Sequence, residues 1–154
     1  MLELFFYNWQ IREDWFSWCG RIPADELTKT RIGGMGSILH NLYHVIDCEQ
    51  LWISQMQGTS VIVRDIAEIT SLSQVTAYSQ ENKAATHRFL KSESSRSGFL
   101  EIKRKSGETI LLPHQKILQH IAAHEIHHIG QLSVWARELG IKPVSSDLVF
   151  RELT

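Results

Sequence analysis

Residues 113–140 read PHQKILQHIAAHEIHHIGQLSVWARELG, and the rest of the chain is best read outward from them. Pro113 suits a first helical residue, because it has no N–H to leave unpaired there. Gly140 and then Pro143 supply the expected stop. Between them Ile117, Ile121, Leu132, Trp135 and Leu139 recur at helical spacing. With His124 placed at zero, these five fall between about 20° and 80° on the helix projection. His128 falls at about 40°, inside that stripe, whereas His120 and His127 lie at about -40° and -60°, on its flank. The projection therefore predicts that His124 and His128 face the core and that the other two sit at its margin.

Two imidazoles on an apolar face are costly unless their nitrogens find partners. Residues four apart lie one turn above each other, so one metal ion can satisfy both rings. The bland alternative is a pair of core histidines bonded to neighbouring helices. A metal needs further ligands, and His44 is the best third: it sits on a polar helix face with Asn41, Cys48, Trp52 and Gln55. His40, one turn earlier, is the fallback. Cys48 is a possible soft ligand that would favour zinc. Three neutral histidines leave a coordination position for water or a substrate thiolate. Gln131, one turn beyond His128, is the candidate for orienting a bound molecule.

The same stretch also matches the zinc-hydrolase motif H-E-x-x-H, with Glu125 as general base between His124 and His128. Its extended form is absent, since Gln131 and Val134 stand where Gly and His belong.

Elsewhere, apolar spacing predicts helices over 2–19, ending at Gly20, and over 37–57, with Ser37 as N-cap and Gly58 as stop. A further helix is expected over 73–91. Residues 20–36 read as a loop punctuated by Gly33, Gly34 and Gly36. Residues 59–72 read as a connection with a short extended piece at 61–63 and a helical turn at 65–69. Two β-rich runs, 99–104 and 108–112, flank a glycine-containing turn and read as a hairpin. The tail from Val144 is expected to pack loosely. The sum is an all-α protein, a four-helix bundle with a short β-hairpin before the last long helix, in one domain spanning 1–154. Bundle cores carry metal sites built from facing helices.

Composition narrows the function. The 154 residues are 43% hydrophobic and 21% charged, with a formal net charge of -1. No global basic field exists to bind nucleic acid, so none is expected as a partner; only a local Lys/Arg patch over 83–96 and 101–105 would reopen that idea. No apolar run is long enough to span a bilayer, and the N-terminus lacks signal-peptide features, so a cytoplasmic protein with no membrane partner is expected. Cys19 and Cys48 have no metal-ribbon or C-x-x-C spacing and read as free buried thiols. The five tryptophans read mainly as core and dimer packing.

Three pieces together resemble the DinB/YfiT-like family of bacterial four-helix-bundle proteins: LHNLYHVIDCEQLWI, ILQHIAAHEIHHIGQL and YNWQIREDWF. The second is similar to the family's late H-x-x-x-H-x-x-H-H-R-G-Q signature. The resemblance implies an up-and-down bundle with an unusual long connection, commonly a homodimer. It implies metal ligands at His44, His124 and His128, with nickel, zinc or iron as the divalent ion. It further implies either a thiol-dependent S-transferase, joining a bacillithiol-type thiol to an electrophilic small molecule, or a non-catalytic, stress-related metal- or ligand-binding protein. Ile129 stands where the family signature has Arg.

Overall fold

In the computed structural model, which describes residues 1–153, four long helices carry the fold. Helix α1 spans Leu2–Cys19 and α2, a short one inside the expected loop, Ala24–Thr28. Helix α3 spans Ile38–Gln57, α4 Leu72–Lys91, and α5 is a single turn over Ser94–Ser97. Strands β1 (Phe99–Lys103) and β2 (Thr109–Pro113) pair antiparallel as the expected hairpin, and α6 runs His114–Glu138. Pro113 ends the second strand and caps α6 instead of opening it. The 61–63 segment is unpaired, and the turn after it is a 3-10 helix over Ile66–Glu68.

The helix ends follow local chemistry. The Ser37 hydroxyl accepts the His40 N–H, and Ser71 with Gln74 forms a reciprocal capping box at α4. Gly58 (φ 67°) closes α3 in the left-handed conformation that only glycine enters cheaply.

Helices α1 and α3 occupy opposite corners, each packed against α4 and α6. One end of the core gathers Phe5, Ile53, Met56, Phe89, Ile117 and Leu118; the other gathers Trp15, Leu39, Leu42, Val75, Tyr78 and Trp135. Hence α1 and α6 run one way and α3 and α4 the other. Direction alternates from α1 to α3 and from α4 to α6, while α3 and α4 lie side by side in parallel. Residues 58–71 make that possible by returning along the length of α3, about 30 Å for its 20 residues. This is the long connection the resemblance implies.

The tail is better tied than expected. The Tyr7 hydroxyl donates to the Ser146 carbonyl, the Gln10 amide to the Glu152 carbonyl, and Arg151 pairs with Asp14 at 2.9 Å. Among the described residues no helix is long and apolar enough to cross a membrane.

Candidate metal centre

The site lies where α3 and α6 run antiparallel. His44 projects from α3, and His124 and His128 from successive turns of α6. Their ring centroids form a nearly equilateral triangle: 4.9 Å for His44–His124, 4.8 Å for His44–His128 and 4.6 Å for His124–His128. One ligand nitrogen from each lies within 4.8 Å of the other two. The structure brings all three predicted residues together.

It places them at one margin of the buried face, however. All three are half-buried, and the buried arc of α6 runs from Ile117, Ile121 and Trp135 through Leu132 and Glu125 to Leu118, Ala122 and Ile129. That arc is centred near Glu125, about 100° round the helix from His124. His124 and His128 therefore line the edge of the core, in a groove against α3. The apolar stripe marked only the near half of that arc, because it could not show that a carboxylate occupied the middle of the buried face.

The donor set suits a divalent metal. His44 Nε2 and His124 Nε2 face each other at 3.1 Å. At 2.0–2.1 Å from one ion, nitrogens that far apart subtend about 100°, a value compatible with tetrahedral or octahedral coordination. Burial lowers the pKa of all three rings; for His124 and His128 mutual repulsion with neighbouring imidazoles adds to it and brings both to about 4. Neutral rings at pH 7 present the lone pairs a metal needs. His124 Nδ1 is buried without a protein partner, so no protein group fixes that ring's tautomer and Nε2, which faces His44, remains available to the centre.

Asn41 fixes the third ring. Its Oδ1 lies 3.0 Å from His128 Nδ1, and its amide donates to the His128 carbonyl at 2.9 Å. A proton on Nδ1 completes the first of these bonds and leaves Nε2 as the free acceptor. Asn41 Oδ1 also accepts the Met35 N–H. The loop before α3 closes over this pair: a Cβ on Gly34 (φ +50°) would stand 2.7 Å from Asn41 Oδ1 and 3.0 Å from the Trp135 ring. Only glycine fits there. Gln131 lies against the same loop, its Oε1 2.9 Å from where a Gly33 Cβ would be. It marks the loop end of the groove.

Other candidates lie elsewhere. His40 Nε2 is 3.1 Å from the Ile69 carbonyl, away from the triad. His120 and His127 are exposed flankers, with ring centroids 5.7 Å from His124 and 5.2 Å from His128. Cys48 is half-buried and outside the triad; burial pushes its thiol up to about 11, so it is protonated at neutral pH. Cys19 is fully buried and pushed up to about 12 for the same reason.

Behind the triad lies a buried polar cluster whose role the sequence did not reveal. Arg12, on α1, donates Nε to Glu125 Oε1 (2.9 Å) and Nη2 to Glu125 Oε2 (2.6 Å). It also reaches Glu49 Oε2 on α3 at 2.8 Å and the Ser79 hydroxyl on α4 at 3.2 Å. The Thr86 hydroxyl and the Trp9 indole N–H complete Glu49. Arg12, Glu49 and Glu125 are at most 2% exposed. Glu125 is thus held from inside the bundle by a guanidinium, which removes it from the general-base position that H-E-x-x-H requires. An arginine within the apolar spacing of α1 was the available signal, since a buried cation must find anions.

Comparison with known proteins agrees with the geometry. The family model described as DinB family matches residues 1–154. The chain is 41% identical over 155 residues to a Bacillus subtilis (strain 168) protein described as uncharacterized protein YizA, covering 99% of this chain and 96% of that one.

Proposed function

The chain belongs to the DinB family, and on that premise we propose that His44, His124 and His128 hold one divalent metal, nickel, zinc or iron, in a metal-dependent thiol S-transferase. The observation that carries the reading is a triangle of neutral imidazoles from two facing helices, with one ligand nitrogen of each within 4.8 Å of the other two. A bound divalent ion would supply a Lewis acid that lowers the pKa of a thiol at neutral pH. In the transfer, the sulfur of a low-molecular-weight thiol of bacillithiol type bonds to the electrophilic carbon. The thiol proton leaves to solvent, and the electron pair of the bond broken at that carbon goes to a departing leaving group or, in an addition, to the neighbouring atom of the electrophile, which takes up a proton.

The chain's own residues prepare that step. Asn41 holds the His128 tautomer. The second reading, a non-catalytic metal- or ligand-binding protein, requires a closed site; rings that keep part of their surface exposed favour the first. We further propose a homodimer as the working unit, which light scattering of the purified protein tests directly.

The experiment has two stages. Elemental analysis of protein purified without a metal-affinity tag should find about one divalent ion per chain, lost in His44→Ala and His128→Ala. The loaded protein should then accelerate conjugation of a small thiol with model electrophiles. Metal bound without acceleration across the panel removes the transferase and leaves the binding protein; no metal bound removes the transferase and any metal-binding role.

A further inference from the structure

From the triad, helical spacing carries the facing rows His44, Cys48 and Trp52 on α3 and His128, His124, His120 and Lys116 on the antiparallel α6. One turn beyond His124, between these rows, lies a depression of about 250 Å³ lined by Trp52, Leu112, Lys116, Ile117 and His120. Ile117 is buried and forms the floor. The Trp52 indole meets the His120 ring edge-on at 6.0 Å and forms one wall. Leu112, from the inward face of the hairpin, closes the far end. The His120 ring is 5.7 Å from that of His124, so a single imidazole stands between the depression and the triad.

Size and chemistry select the occupant. An apolar cavity of about 150 Å³ holds a benzene molecule. The depression therefore has room for one aromatic ring and a short substituent. Its walls are apolar or aromatic, and Lys116, exposed at the rim, is the one charged group among its lining residues. A mostly apolar pocket with one placed charge is the usual form of a small-molecule site, the charge fixing orientation. Lys116 lies two turns from His124, at the end away from the triad.

We propose that this depression is the acceptor subsite and takes a small aromatic monoanion, its ring between Trp52 and Leu112, its anionic group at Lys116 and its opposite end toward His124. The assignment rests on the transferase reading for its catalytic meaning; occupancy of the depression does not.

Binding of 3-phenylpropionate to metal-free protein, followed by NMR with the Trp52 indole N–H as reporter, tests it, because a carboxylate drawn only to a metal would not bind that form. Saturable binding with shifts at Trp52 and His120 is expected. Lys116→Gln should weaken the carboxylate about three- to fivefold, the range of a rim charge pair, and leave the neutral 3-phenylpropanamide unchanged. Leu112→Trp should fill the depression and abolish binding of both, with zinc stoichiometry and the helical circular dichroism unchanged. Failure of 3-phenylpropionate to bind, binding undiminished by Leu112→Trp, or equal weakening of acid and amide by Lys116→Gln would each overturn the subsite. Binding as described without any thiol conjugation would instead remove the transferase and leave the subsite standing.

Discussion

Replacing Arg12 by methionine tests the interior architecture on which the metal centre sits. The wild-type guanidinium makes three short bonds to carboxylates, at 2.6, 2.8 and 2.9 Å, in a site from which water is excluded. Arg12→Met keeps most of the volume and leaves Glu49 and Glu125 facing each other without their cation. Removing one partner of a buried ion pair costs about 3–5 kcal/mol. For a chain of this length each kcal/mol moves the midpoint about 2–4 °C, so the melting temperature should fall by roughly 6–20 °C. Replacing all three charges together, as Arg12→Met/Glu49→Gln/Glu125→Gln, should recover much of the loss, because no unpaired charge remains. Acid should also help the single variant. Burial already raises the Glu125 pKa, and loss of the Arg12 attraction raises it further. A carboxyl whose folded pKa exceeds its unfolded one gives stability present below the unfolded value and lost as pH rises through the folded one. The deficit should therefore be largest near pH 8 and shrink toward pH 5. Thermal and urea unfolding of the three proteins, followed by circular dichroism, measures this. A loss under 1 kcal/mol at neutral pH, or a deficit that grows on acidification, would refute the account of the cluster.

Other consequences concern the triad. Asn41→Leu should lower metal affinity about 10- to 100-fold by releasing the His128 tautomer, read by competition with a chromogenic chelator. Gly34→Ala should lower affinity in the same assay and also reduce stability, because its Cβ would meet Asn41 Oδ1 and Trp135. Metal-free protein should lose stability as pH falls from about 6.5 toward 4: His124 and His128 are held neutral in the fold, so the unfolded chain binds more protons in that window. His124→Gln should flatten that acid limb; an unchanged slope would show that the ring is not held neutral.

What the sequence determined about this protein is what depends on neighbours along the chain. Ser37, Gly58 and Gly140 bound their helices because caps and left-handed turns act within a few residues. The hairpin was legible from two β-rich runs about one turn, and His124 and His128 from four-residue spacing on one helix. Pairing them with His44 needed a polar face read as a site lining, and the coordinates bring those three rings together. The tertiary structure decided everything that depends on what lies across the bundle. It set α3 parallel to α4, which no local signal in residues 58–71 specifies. It turned the centre of α6 toward Glu125 and moved the histidines to the groove, because Arg12 waits there on a helix more than a hundred residues away. Asn41 and Gly34 acquire their roles in the same way. A helical period reports which residues share a face, but which face is buried is settled by the charges and volumes brought against it.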